Sequence, residues 1–281
     1  MAEAIESVRS QDVDDSELIV VNDGSTDNTS EVAARYLGLR YLYQSNLGLS
    51  AARNSGFRNC NGEFVVFLDS DDRLAPGSLE SGLRALNEAP QAAFAFGRMQ
   101  VINEYGRPLW LFPEPRSLDR HYVNLLMANY IPTPGMVMFR RKCIEKYGEF
   151  DTELKACEDY DFYLRIVATE KIVYHPSVTV ERRMHGAQMT ENPGNVLKYA
   201  LRVLRKQYPN IATDHNLRKA YRNGRNAWRI YYGRKLIGQI KDSLRDKKAV
   251  VFLKSLYFLL RYCPIYPWYK IQNRNVSNVV K

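Results

Sequence analysis

Short apolar runs alternate with amphipathic segments over the first hundred residues of the chain. The run Leu18–Val21 ends in the polar turn "NDGS", and the run Phe64–Leu68 ends in "DSDD". The intervening segments "GLSAARNSGFRNC" and "GSLESGLRALNE" have the apolar spacing of helices. Strands that alternate with helices predict an α/β domain with a mainly parallel sheet. Ligands of such sheets bind beyond the carboxyl ends of the strands, which is where both polar turns fall.

Charge divides the chain into two regions of opposite sign. From residue 198 onward there are 20 Lys+Arg and 3 Asp+Glu, which leaves 20 basic and 28 acidic residues in the first 197. This asymmetry predicts a boundary between residues 190 and 215. We therefore expect an α/β domain at 1–195, followed by a basic, aromatic-rich helical region at 196–281.

Cysteine usage and hydropathy indicate the compartment. The four cysteines include no CxxC pair, which favours a reducing environment and argues against a zinc site. The acidic start "MAEAIESVRSQDVDD" has no signal-peptide pattern. The sequence contains no run of 18 uncharged apolar residues, so it predicts no membrane-spanning helix. We expect a cytoplasmic protein, either free or peripheral on the cytoplasmic face of the membrane.

Three carboxylates follow the apolar run that ends at Leu68, namely Asp69, Asp71 and Asp72. Neighbouring carboxylates repel one another unless a cation neutralises them, and hard divalent cations prefer oxygen ligands. In such a DxD arrangement one carboxylate can take a metal and the other can bond a ribose or a water. The alternative is that these residues only cap the following turn.

Five motifs together resemble those of the family 2 glycosyltransferases, which have the GT-A fold. In chain order they are "IVVNDGSTDNT", "NLGLSAARNSG", "FVVFLDSDDRLAPGSLE", "CEDYDFYLR" and "ERRMHGAQMT". The resemblance covers roughly residues 1–190. It implies inverting transfer of a sugar from a nucleotide-diphospho-sugar, with a UDP-sugar favoured, to a saccharide or lipid-linked acceptor. It also implies Mg²⁺ or Mn²⁺ as cofactor and a role in cell-surface polysaccharide or lipopolysaccharide synthesis.

The resemblance assigns donor-side roles to four residues. Asp23 would bond the nucleotide base, Arg53 would help to hold the nucleotide, Asp69 would face the ribose, and Asp71 would bind the metal. Each also has a structural alternative. Asp23 can be an ordinary turn aspartate, and Arg53 can pair with a surface carboxylate.

The resemblance assigns further roles to Asp159, Glu158 and His185. Asp159 would be the general base, and Glu158 a neighbouring group on the acceptor side. His185 would be a metal ligand in its neutral form. The alternatives are that the acids cap the first helical turn and that the histidine is an ordinary surface residue. Gln188 departs from the Ser or Asn that similar sequences often carry.

The C-terminal region interleaves basic and aromatic residues. Such a pattern fits a nucleic acid, an anionic membrane surface or a basic helical hairpin that packs on the protein. Lys254, Arg261 and two prolines interrupt the apolar stretch at 249–269, which suits an interfacial helix better than a spanning one. We expect peripheral membrane contact and no nucleic-acid partner.

Similar enzymes begin with a hydrophobic strand of the kind "VSVIIPTYN", whereas this chain begins with the helical pattern "AEAIESVRSQ". The sequence therefore predicts a glycosyltransferase domain that is N-terminally truncated. Two other readings stay open. One is a non-catalytic nucleotide-sugar-binding or scaffold remnant, and the other is a nucleotidyltransferase, which can share the sheet and the metal chemistry. The "ED" helix favours sugar transfer over nucleotidyl transfer.

Overall fold

The computed structural model describes residues 1–115, 117–184 and 192–264. Two compact units divide the chain. The first comprises Met1–Leu118 and Ile131–Gly186, and the second comprises Asp119–Tyr130 and Ala187–Lys281. Residues 119–130 thus belong with the C-terminal helices. The functional boundary at residues 195 and 196 stays a prediction.

The first unit contains eight strands among its described residues. They are β1 (Ile19–Asp23), β2 (Arg40–Gln44), β3 (Phe64–Val66), β4 (Arg73–Leu74), β5 (Ala92–Ile102), β6 (Pro108–Leu111), β7 (Val137–Arg140) and β8 (Lys171–Arg183). Its described helices are α1 (Ala2–Arg9), α2 (Thr29–Ala34), α3 (Leu49–Asn59), α4 (Ser78–Glu88), α6 (Arg141–Tyr147) and α7 (Glu158–Val167), with one 3₁₀ turn at Pro134–Met136. The predicted α/β class is confirmed.

The main sheet is mixed rather than mainly parallel. Its order is β3-β7-β5-β8-β4, with β6 paired to β5. Among these strands only β5 and β8 pair in parallel, while β7 runs antiparallel to both of its neighbours, β3 and β5. The sequence could not reveal this direction, because a strand that is buried on both faces has the same apolar pattern whichever way it runs.

The strands β1 and β2 form a separate parallel pair, in register from Ile19 opposite Arg40 to Asp23 opposite Gln44. Within the described residues no ladder joins this pair to the main sheet.

An aromatic core lies under the helix α7. Phe162 and Tyr163 are fully buried on this helix, and both contact Phe139 of β7, with ring centroids 5.3 and 6.3 Å apart. Phe162 also contacts Phe150, at 4.8 Å. The packing of large rings on α7 fixes its N-terminal turn, which carries the two acids of the "ED" motif.

The second unit is helical in its described residues. It contains α5 (His121–Met127), α8 (Pro193–Lys206), α9 (Tyr208–Ile211), α10 (His215–Arg245) and α11 (Ala249–Tyr262). Asp214 caps the long helix α10, because its carboxylate accepts hydrogen bonds from the N–H groups of Asn216 and Leu217. In the described part of the chain, no helix combines the length and the apolar character needed to cross a bilayer. The helical character predicted for the C-terminal region is confirmed for its described residues, 196–264.

Candidate active site

The loop after β3 holds the three aspartates that the sequence singled out. A hydrogen bond from the N–H of Asp72 to the carbonyl of Asp69, at 3.1 Å, closes this loop into a turn. Asp69 and Asp71 are partly exposed, whereas Asp72 is buried. The turn therefore leaves two carboxylates partly accessible and directs the third into the protein.

The buried carboxylate anchors this loop to the end of β8. Asp72 Oδ1 accepts a hydrogen bond from the N–H of Arg183 at 2.9 Å, and Arg183 Nε donates to the carbonyl of Asp71 at 3.0 Å. Burial, together with the charge of Asp69, raises the pKa of Asp72 to about 7. Arg183 also forms an ion pair with Glu3 of α1, at 2.6 Å. Arg183 is not among the site residues predicted from the sequence, although it lies inside the motif "ERRMHGAQMT".

The two acids of the "ED" motif open the helix α7. Glu158 is buried and Asp159 is partly exposed. Asp159 Oδ1 accepts a hydrogen bond from the N–H of Tyr160 at 2.7 Å, and the preceding residue, Cys157, has a left-handed φ of 61°. Asp161, two positions after Asp159, is buried and pairs with Arg165 at 3.0 Å. This pairing gives Asp161 a structural role.

Arg53 of α3 connects the two groups of acids. Its Nη2 lies 2.6 Å from Asp69 Oδ1, and its Nη1 lies 2.6 Å from Glu158 Oε1. Only 7% of the Arg53 side chain is exposed. Burial alone would lower the pKa of Arg53, but Asp69 and Glu158 hold it above its ordinary value. Four of the predicted site residues therefore form one cluster, in which Asp159 is next to Glu158.

The environment of Asp159 suits a group that exchanges a proton near neutral pH. Burial, and then the charge of Glu158, raise the pKa of Asp159 to about 7, while Arg53 opposes the shift. A general base is most effective when its pKa lies near the working pH. Asp159 therefore has the chemistry that the resemblance assigns to it, while its role stays a prediction.

Asp23 lies at the end of β1 and organises the loop before α3. Its carboxylate accepts hydrogen bonds from the N–H groups of Leu47 and Gly48, at 2.9 and 2.8 Å, and from Gln44 Nε2 at 2.7 Å. Burial would raise the pKa of Asp23, but these bonds hold it below its ordinary value. The structure thus gives Asp23 a loop-fixing role, and its contact with a nucleotide base stays a prediction.

The sequence predicts two metal ligands, Asp71 and His185. Asp71 lies in the loop after β3, while His185 falls outside the described residues. In the ranges 1–115, 117–184 and 192–264, no three His, Cys, Asp or Glu side chains gather as a metal-binding group. The oxygen atoms of Asp71 and Asp69 match the ligands that Mg²⁺ and Mn²⁺ prefer. The metal therefore stays a prediction.

Comparison with known proteins identifies the family. A sequence profile described as "Glycosyl transferase family 2" matches residues 1–148. This chain belongs to glycosyltransferase family 2. It is 30% identical to the uncharacterized glycosyltransferase RP339 of Rickettsia prowazekii over 203 residues, which cover 70% of this chain and 64% of that protein. It is 40% identical over 88 residues to EpsH of Bacillus subtilis, a putative glycosyltransferase, across 30% of this chain and 26% of that one.

Solved structures of other glycosyltransferases confirm that this family 2 member has the GT-A fold. TarS of S. aureus in complex with UDP-GlcNAc superimposes with a TM-score of 0.67 at 19% identity, over 92% of this chain and 77% of that one. The mannosyltransferase PcManGT of Pyrobaculum calidifontis, in complex with GDP-Man and Mn²⁺, gives 0.55 at 17% identity, over 95% and 83%. The match to the Rickettsia relative spans less than two thirds of that protein.

Proposed function

We propose that this protein transfers a sugar from a nucleotide-diphospho-sugar to an acceptor hydroxyl, with inversion at the anomeric carbon. The observation that carries the proposal is the cluster in which Arg53 joins Asp69 to Glu158, beside Asp159. The cluster supports the proposal because one guanidinium contacts both Asp69 and Glu158, the carboxylates to which the resemblance assigns donor-side and acceptor-side roles. Membership of family 2 supports the same activity.

The residues of this site would divide the work between donor and acceptor. Asp69 would bond the ribose, and Asp71 would hold the divalent cation. When bound, Mg²⁺ or Mn²⁺ would neutralise charge on the diphosphate leaving group. Asp159 would take the proton of the acceptor hydroxyl as that oxygen attacks the face of the sugar opposite the leaving group. Such a single displacement inverts the anomeric configuration.

The donor class follows from the family, and the acceptor is a wider proposal. The complexes of TarS with UDP-GlcNAc and of PcManGT with GDP-Man and Mn²⁺ support a nucleotide-sugar donor and a divalent cation. The resemblance of the motifs favours a UDP-sugar. We propose a saccharide or lipid-linked acceptor in cell-surface polysaccharide or lipopolysaccharide synthesis. A scaffold remnant would bind the donor without turnover, and a nucleotidyltransferase would release inorganic diphosphate instead of a nucleoside diphosphate.

Donor binding should depend on a metal held by Asp71. Titration calorimetry with UDP and with GDP, each in the presence of Mn²⁺, should detect binding that EDTA removes. Asp71→Asn should weaken the metal-dependent part by about tenfold or more, because one anionic oxygen ligand is lost. Glu80→Gln on α4 is the matched control, since this exposed carboxylate pairs only loosely with Arg84, at 3.5 Å. Equal affinities of the parent and Asp71→Asn would contradict the metal assignment.

The outer face of α11 supports the proposed contact with a membrane. Val250, Leu253, Tyr257 and Leu260 are spaced as one helical stripe, and each is 59–64% exposed. The exposed basic residues Lys254 and Arg261 follow Leu253 and Leu260 of the stripe in the chain. An apolar face flanked by cations fits the surface of an anionic bilayer, where apolar side chains enter the interface and lysines meet phosphates. This contact would place the protein at the cytoplasmic face of the membrane.

The membrane contact has a direct test. The full chain should co-sediment with vesicles that contain phosphatidylglycerol and should detach as salt is raised, because salt screens the attraction. The double variant Lys254→Glu and Arg261→Glu should bind less, while Arg84→Glu on α4 should bind like the parent. Equal binding to neutral and anionic vesicles would refute the electrostatic part of the proposal.

A further inference from the structure

Arg53 has a position that its predicted contact with the nucleotide does not explain. Both terminal nitrogens of its guanidinium are engaged, one with Asp69 and the other with Glu158, each at 2.6 Å. These partners are 16 and 105 residues away in the chain. We propose that Arg53 is a positioning residue, which ties the strand-end carboxylate Asp69 to Glu158 and thereby fixes the base Asp159 relative to the donor. This inference rests on the proposed function.

The surroundings of Arg53 hold it in place. The next residue on α3, Asn54, forms two hydrogen bonds with the backbone of Phe150, at 2.9 and 3.0 Å. The Arg53 guanidinium lies 5.4 Å from the centre of the Phe150 ring. These bonds tie α3 to the segment that leads into α7. The position of the guanidinium relative to Glu158 is therefore fixed. Because the guanidinium is planar and rigid, a bridge from its two terminal nitrogens to two carboxylates fixes the distance between those carboxylates as well as their charge balance.

The charges around Asp159 give Arg53 and Glu158 opposite effects on it. Glu158 raises the pKa of Asp159, whereas Arg53 lowers it. Loss of Arg53 should therefore move the titration of Asp159 to higher pH, and loss of Glu158 should move it to lower pH. The charged and titratable groups around Asp159 are Glu158, Cys157 and Tyr163 on or beside α7, Arg53 on α3 and Asp69 after β3.

A purely structural ion pair would behave differently, and α3 supplies a matched example. Arg58, on the same helix, pairs with Glu149 at 2.5 Å, but 67% of its side chain is exposed. It carries the same charge and is bonded to the same region of the chain. Arg58→Gln therefore controls for the loss of an arginine from α3 without a change in the acid cluster.

The experiment compares pH profiles in the full chain. Release of UDP or GDP from UDP-GlcNAc and GDP-mannose is measured between pH 5 and 9 for the parent, Arg53→Gln, Glu158→Gln and Arg58→Gln. The acidic limb of the profile should move to higher pH in Arg53→Gln, to lower pH in Glu158→Gln, and stay in place in Arg58→Gln. Affinity of Arg53→Gln for UDP with Mn²⁺ should stay within about threefold of the parent value.

The opposite result would restore a direct contact with the nucleotide. Loss of UDP affinity by about tenfold or more in Arg53→Gln, with an unmoved acidic limb, would overturn the proposal. If Arg53→Gln does not fold, Arg53→Lys and Glu158→Gln decide the question. Lysine can reach only one of the two carboxylates, so the limb should shift in the same direction by a smaller amount. An unmoved limb in both variants would also overturn the proposal.

A second measurement separates this inference from the proposed function. If the parent turns over no donor, the proposed function fails, but the role of Arg53 is still measurable from thermal unfolding. The difference in Tm between Asp159→Asn and a protein that retains Asp159 should grow from about pH 4 and level off above the pKa of Asp159 in the folded protein. With Arg53→Gln as the background, the difference should level off at a higher pH than in the parent. The same pH in both backgrounds would refute the coupling.

Discussion

Asp159→Asn should reduce sugar transfer by about 10²–10⁴-fold, which is the usual scale for the loss of a general base. The amide cannot accept the proton of the acceptor hydroxyl, but it has nearly the same shape as the carboxylate. Binding of UDP with Mn²⁺ should therefore stay close to the parent value. The measurement is single-turnover transfer from a nucleotide-sugar that the parent accepts, together with calorimetry. Glu153→Gln, an exposed change in the segment before α7, should transfer at the parent rate.

The same substitution should stabilise the protein at neutral pH. The pKa of Asp159 is raised from 3.8 to about 7, so the folded state holds its proton more tightly than the unfolded state does. Its contribution to stability is therefore fully present below about pH 3.8 and is lost as the pH rises to about 7. Asparagine resembles the protonated form at every pH. The Tm of the variant should exceed that of the parent by a margin that grows from about pH 4 to 7 and then levels off.

Parent-like transfer by Asp159→Asn would show that another group is the base. A large loss of transfer without a gain in Tm at pH 7 would instead show that Asp159 is ionised at little cost in the folded state. In that case the positive charge of Arg53 would stabilise the ionised form of Asp159 enough to offset the effect of burial. The two readouts therefore test the role of Asp159 and its electrostatic environment separately.

Gly224→Ala should cause a large loss of stability in the second unit. A Cβ atom at Gly224 of α10 would lie 1.9 Å from the carbonyl oxygen of Leu126 and 2.9 Å from its carbonyl carbon. Leu126 is fully buried on α5, so its backbone cannot move without disturbing the packing around it. We expect a loss of about 3 kcal/mol or more, at the upper end of the range for overpacked sites.

Gly238→Ala, on the same helix, is the matched control. Apart from the local backbone of α10 itself and the two chain neighbours, no atom of the described residues lies within 4 Å of a Cβ built at Gly238, so the substitution should only remove the entropic cost of a glycine in a helix. The expected gain is about 0.5–1 kcal/mol. Thermal unfolding of the two variants beside the parent gives the comparison. Equal Tm values for Gly224→Ala and the parent would contradict the close approach of α5 and α10.

The sequence predicts local features of this site better than its connections. The apolar run that begins at Phe64 and the acids that follow it are visible as a pattern, although the strand itself ends at Val66. The ion pair between Arg53 and Glu158 joins residues 105 positions apart, and no periodic signal marks such a pair. Side-chain type alone left Arg53 with two readings. Only the fold brings its second carboxylate within reach.

Strand direction and unit membership were also beyond the sequence. β7 reads as a buried strand in either direction, and its antiparallel position between β3 and β5 depends on how the chain crosses the sheet. Helix α5 belongs to the second unit although it interrupts the first. Its backbone contacts Gly224, and nothing in the sequence of α10 distinguishes this glycine from Gly233 and Gly238 on the same helix.

Arg183 donates hydrogen bonds to both Asp71 and Asp72, and we call this pair of bonds the clasp. The clasp limits where this chain can gain or lose residues. Successive residues of a strand face opposite sides, so one residue inserted or deleted between Val180 and Arg183 would reverse the side on which the guanidinium projects. The carbonyl of Asp71 and the carboxylate of Asp72 would then lose their shared partner. The connection between α7 and β8, at residues 168–170, is under no such constraint from this clasp. Insertions and deletions among relatives should therefore concentrate before Lys171 and avoid the last residues of β8. The spacing between the end of β8 and the loop after β3 is then as characteristic of the site as the aspartates themselves.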